Sequence, residues 1–113
     1  MSPLDPSEIS KGRAGGFLKK SLLQPGQETE PLHVTDVSKA EGTKYPVRGE
    51  TWCYRFHLSD GRVWDESSKS VYGALLGWLY PDGKTFTPCT VVLFKKSGLL
   101  RPKESSYGVK KVT

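Results

Sequence analysis

The run Thr51–Leu58 alternates cleanly in character and is followed by Asp60-Gly61, and this strand-then-turn signal constrains the chain more than any other feature. Trp52, Tyr54, Phe56 and Leu58 fall on one face of a strand and Cys53, Arg55 and His57 on the other, because successive strand side chains point to opposite sides. Asp-Gly tolerates the positive φ of a type I′ turn, so an antiparallel partner strand is expected immediately. A two-residue loop would pair Leu58 with Val63 and His57 with Trp64. A three-residue loop would set Leu58 against Arg62, so matching apolar with apolar favours the shorter one. In that register the hairpin presents Arg55, His57, Arg62 and Trp64 on its non-core face, while Trp52, Tyr54 and Phe56 belong to the core.

The flanking sequence supplies the other elements. Leu32 and Val34 alternate in a first strand over about 30–37, and residues 38–50, with Lys39, Lys44, Tyr45 and Arg48, read as a long polar loop. Ser67 or Ser68 caps a helix whose Val71, Leu75 and Leu79 form an apolar stripe. Tyr80-Pro81-Asp82-Gly83 stops it, since the residue before proline avoids the helical region and Asp-Gly is turn chemistry. Thr90–Phe94 reads as a buried strand, Lys96–Ser106 as a loop, and Tyr107–Val112 as a last strand. The fold class is therefore mostly β. Five strands with one helix between the third and fourth is the layout of an OB-fold barrel, and its rival is a generic small β-barrel or roll with one packed helix.

A chain of 113 residues with 35% hydrophobic content can bury one modest core, which excludes a two-domain enzyme. Residues 17–113 are expected to form that single domain, with Phe17, Leu18, Leu22 and Leu23 packing against it as a helical turn or an extended arm. Residues 1–16 lack apolar periodicity and are expected to be flexible. Cys53 and Cys89 make no disulfide framework, the N-terminus has no apolar run resembling a signal peptide, and no stretch is apolar enough to span a bilayer. These features point to an intracellular location, cytoplasmic or nucleoid-associated, with no membrane partner.

The net charge of +5 is concentrated at one end. Acidic and basic residues cancel over 1–31 and again over 32–94, whereas 95–113 holds Lys95, Lys96, Arg101, Lys103, Lys110 and Lys111 against Glu104 alone. A one-sided field of this kind attracts a polyanion, and its bland counterpart is a solubilising tail.

From Tyr54 to Trp64, and then from Lys69 to Leu76, the chain resembles small OB-fold proteins of viruses and microbes that bind single-stranded DNA. The shared pattern is a strand, an acidic-Gly turn, a second strand and a helix led by Lys and Ser, followed by a closing strand like Thr90–Phe94. The resemblance implies a groove across the second and third strands, flanked by the loops joining strands one to two and four to five. Those loops carry Lys44, Tyr45 and Arg48, and Lys95, Lys96, Arg101 and Lys103. Single-strand binders combine cations for phosphates with aromatic faces for bases, which adds Arg55, His57, Arg62, Trp64 and Tyr107 to the expected interface. The expected function is non-enzymatic binding of single-stranded nucleic acid, DNA in preference to RNA, with little sequence preference and a role in DNA replication. A protein-assembly module whose basic end docks an acidic partner is the alternative.

No cofactor or metal is expected. Cys53, Cys89, His33 and His57 lack zinc-ligand spacing, and Asp65-Glu66 before the helix suits its N-terminal dipole better than catalysis. Edge strands of small OB-folds often pair, which leaves a homodimer open.

Overall fold

The computed structural model describes residues 16–102 and 104–112. They form β1 (Leu32–Glu41), β2 (Trp52–Leu58), β3 (Val63–Glu66), α1 (Lys69–Leu79), β4 (Cys89–Lys95) and β5 (Tyr107–Lys111), preceded by a 3-10 turn at Lys20–Leu22. The expected flexible segment lies outside the described residues apart from Gly16, and so does Lys103. No described helix is long and apolar enough to cross a membrane.

The strands make one antiparallel sheet in the order β3-β2-β1-β4-β5, with β3 and β5 at its two edges. β1 organises it: Leu32–Val34 pair with Val91–Cys89, and Val34–Glu41 pair with Leu58–Trp52. Thr35 is an extra residue between the Val34 and Asp36 pairs, a bulge that bends β1 between its two partners. Phe56, Leu58, Trp64, Val91 and Leu93 bury their side chains with Val71, Leu75 and Leu79 of α1, the stripe expected from helical spacing.

Two expectations need correction. β1 runs on through Ser38–Glu41, which reads as loop in the sequence. Backbone pairing with β2 holds these polar residues, Ala40 is buried opposite Cys53, and Lys39 lays its ammonium 4.2 Å from the centre of the Trp52 ring.

The hairpin register is also shifted by one residue. Phe56 pairs with Trp64 and His57 with Val63, and the Leu58 amide donates to the Arg62 carbonyl at 2.9 Å. The loop therefore has three residues, with Gly61 at φ +92° in the left-handed position that closes such a turn. A one-residue shift moves every side chain of β3 to the other face. Trp64 enters the core, 1% exposed and stacked on Phe56, while Val63 stays buried along the edge where Phe17 pairs with it. Burying a tryptophan removes about 150–250 Å² from water, worth about 4–6 kcal/mol, which outweighs a Leu–Val match.

The N-terminal arm lies along this edge. Leu18 donates to the Val63 carbonyl and Val63 to the Gly16 carbonyl, at 2.8 and 2.9 Å. Lys20 then reaches Glu66 at 2.7 Å, and its ammonium sits 5.0 Å from the centre of the Tyr107 ring on β5. Glu66 is buried, and it also accepts the Ser68 amide at 3.2 Å at the start of α1. The arm thus joins the two edge strands through side chains although β3 and β5 do not pair.

Candidate nucleic-acid interface

The outer face of the hairpin carries cations that are already engaged. Arg55 grips Asp65 with two hydrogen bonds, Nε to Oδ1 at 2.7 Å and Nη2 to Oδ2 at 3.0 Å, and its guanidinium lies 5.3 Å from the Phe17 ring centre. The Asp65 hydrogen bond raises the Arg55 pKa above its ordinary value. Arg62 is held by Asp60 at 2.7 Å and approaches Glu30 at 3.6 Å. His57 shares a 2.8 Å hydrogen bond with Ser38, its neighbour on β1. Trp64, expected beside them as a stacking platform, is in the core and presents no face to a ligand.

The loop residues are arranged differently. An open cleft of about 810 Å³ between the β1–β2 loop, the end of β3 and the start of β5 is lined by Lys20, Lys44, Tyr45, Arg55, Ser67 and Tyr107, among others. Tyr45 is 70% exposed, in the bend just before Pro46. Tyr107 faces two cations, since Lys95 across the strand pair is 4.7 Å from its ring centre and Lys20 is 5.0 Å away. Such contacts hold ammonium groups over the ring face, and Lys20 is held by Glu66 as well.

A second depression shares Ser67 with the first and adds Arg48, Ser68, Lys69 and Ser105. A third shares Ser68, Lys69 and Ser105 with the second and adds Lys96 and Arg101. A fourth shares Lys96 and Glu104 with the third and continues to Lys95, Leu99 and Lys110. The depressions form one track from the β1–β2 loop, across the N-terminus of α1, to the β4–β5 loop. Lys44, Arg48, Lys69 and Arg101 are all exposed along it.

Acidic groups also line the track, Glu41, Asp65 and Glu66 in the first cleft, Glu104 in the third and fourth depressions, and Glu28 in the fourth. Glu104 accepts Lys96 Nζ at 3.1 Å and the Arg101 amide at 3.2 Å, so the β4–β5 loop is folded on itself. Lys96 holds the Glu104 carboxyl below its ordinary range, with help from the Arg101 amide.

Of the residues expected at the interface, Lys44, Tyr45, Arg48, Lys95, Lys96, Arg101 and Tyr107 line this track, and Arg55 sits in its wall through the pair with Asp65. His57 and Arg62 lie on the hairpin face and line none of the four depressions. Lys20 and Lys69 were missed. Lys69 could have been found as the first residue of the expected helix, whereas nothing in sequence links Lys20 to Glu66. Cys53 and Cys89 are buried free thiols, their pKa values raised by that burial, and among the described residues no three His, Cys, Asp or Glu side chains gather as a metal site. No protein-family model matches the chain, and no curated protein or solved structure matches it either.

Proposed function

We propose that the protein binds single-stranded nucleic acid along the track that joins the β1–β2 loop, the N-terminus of α1 and the β4–β5 loop. The observation that carries this reading is the alignment of Lys44, Arg48, Lys69, Lys96 and Arg101 along adjoining depressions, with Tyr45 exposed at one end. Cations spaced along a groove follow a phosphate backbone, and an exposed aromatic ring accepts any base on its face. The positive end of the helix dipole in mid-track favours an anion passing there.

The strand order supports an OB-type reading of the fold. Pairing β3 with β5 would close β3-β2-β1-β4-β5 into a five-stranded barrel with its helix between the third and fourth strands, and OB barrels are commonly only partly closed. In this reading the arm, through Lys20, spans the open seam.

The test is a titration of fluorescent single- and double-stranded oligonucleotides, of both DNA and RNA, at several salt concentrations. Binding of single strands whose log K falls linearly with log salt supports the proposal. Absence of single-strand binding at low salt overturns it, and capture of an acidic polypeptide in its place would favour an assembly module.

A further inference from the structure

β4 carries an aromatic ring that the core does not use. Val91 and Leu93 point into the core, so strand alternation sends Phe94 to the opposite face, where it is only partly buried. Its cross-strand partner on β5 is Gly108, and a Cβ there would run into the ring, with Cε2 only 2.7 Å away. The tip of the ring therefore occupies the space that a side chain at position 108 would fill. Beside it the β4–β5 loop places Leu99 fully exposed and Leu100 at 40%, and these line the same depression as Phe94. Phe94, Leu99 and Leu100 make up the apolar side chains of this depression. The rim carries three lysines against two carboxylates: Lys95, Lys96, paired with Glu104 at 3.1 Å, and Lys110, paired with Glu28 at 3.0 Å and with its ammonium 5.9 Å from the ring centre.

We propose that Phe94, with Leu99 and Leu100 as its wall, seats one base of the bound strand while Lys96 and Lys110 exchange Glu104 and Glu28 for the adjacent phosphates. This rests on the single-strand reading and extends it around the sheet edge, since the depression joins the track at Lys96 and Glu104. A nucleobase fits better than an apolar peptide or a second copy of the chain because the depression offers a single aromatic ring among three lysines and is continuous with the track. The strand binds across two separated aromatic positions, Tyr45 at one end and Phe94 at the other.

The experiment uses the full chain with oligothymidines of increasing length, each carrying one 5-iodouracil, irradiated and mapped by mass spectrometry. Cross-links to Phe94 are expected with the longer oligomers. Phe94→Leu should weaken long oligomers about tenfold and leave short ones bound at Tyr45 unchanged. Leu99→Ser, at a fully exposed position, gives the same direction of change without any risk to folding. Single-strand binding that is indifferent to Phe94→Leu and Leu99→Ser, with cross-links confined to Tyr45, overturns this seat and leaves the track intact. Absence of single-strand binding at low salt overturns both. Leu99-dependent partition onto phosphatidylserine vesicles, or Leu99-dependent dimerisation in sedimentation, without cross-links at Phe94, assigns the patch to a membrane or a second copy and also overturns the seat.

Discussion

Trp64 and Phe56 stack across the β2–β3 pair with ring centres 5.0 Å apart and planes inclined by 30°. The indole N–H of Trp64 is buried there with no hydrogen-bond partner among the described residues. An unpaired buried donor costs about 1–3 kcal/mol, so the ring stabilises the fold in spite of its nitrogen. Trp64→Ala should then lower stability by about 3–5 kcal/mol, whereas Trp64→Phe should lose under about 1.5 kcal/mol. Urea unfolding followed by circular dichroism measures both. Trp64→Phe should bind oligonucleotides as the parent does, and a binding loss at unchanged stability would return the indole to the interface.

The same residue shows where sequence reasoning stopped. Strand alternation located β2, and Asp60-Gly61 located the turn, but loop length sets register and two lengths suit Asp-Gly. Choosing between them by the Leu58–Val63 match weighed one local pair. The folded chain weighs the burial of the whole Trp64 ring, and that depends on α1 covering the sheet from the other side. Helix limits and the last two strands were legible because proline and apolar runs are local signals; Ser68 does stand at the helix N-cap position, although its hydroxyl meets Ser70 and makes no capping bond to the backbone. The engagement of Arg55 and Arg62 was half legible: Asp60 is two residues from Arg62, but Asp65 meets Arg55 only through the corrected register. Strand alternation places Phe94 on the face opposite Leu93, but the seat of its ring over position 108 could not be read, because Gly108 stands opposite on another strand.

Lys20 and Glu66 form the most buried ion pair described, with side-chain exposures of 22% and 4%. Removing the ammonium leaves a buried carboxylate whose remaining described contact is the Ser68 amide. Lys20→Ala should therefore cost about 2 kcal/mol, below the range for fully buried pairs because Lys20 keeps some water. Arg62→Ala, in a pair with the half-exposed Asp60, should cost under about 1 kcal/mol. Denaturant midpoints measured side by side check this ranking, and an equal loss in the two variants would mean that the arm is not anchored through Glu66.

Glu104 supplies the pH dependence. Its carboxyl is held below the ordinary value of 4.5 by Lys96 and the Arg101 amide. A folded-state pKa that is depressed gives a contribution fully present above the ordinary value and lost as pH falls through the folded value. The brace of the β4–β5 loop should thus persist at pH 5 and release only below 4.5. The Arg101 amide proton, observed by NMR across an acid titration, should shift with a midpoint below that value, and Glu104→Gln should abolish the transition. A midpoint at or above the ordinary value would show that Lys96 is not holding the carboxylate.

Salt dependence separates cations on the track from cations off it. Each phosphate neutralised on a single strand contributes about 0.7 to the slope of log K against log salt. Changing Arg48, Lys69, Lys96 and Arg101 together to Ser should lower that slope by about 3 while leaving the core untouched, since none of the four is buried. Changing Arg62 to Ser should leave the slope nearly where it was, because it lines none of the four depressions that make up the track. The two sets therefore predict opposite results from one measurement. A slope that followed Arg62 and ignored the loop cations would move the interface back to the hairpin face, where Arg55 would have to leave Asp65 to meet a phosphate.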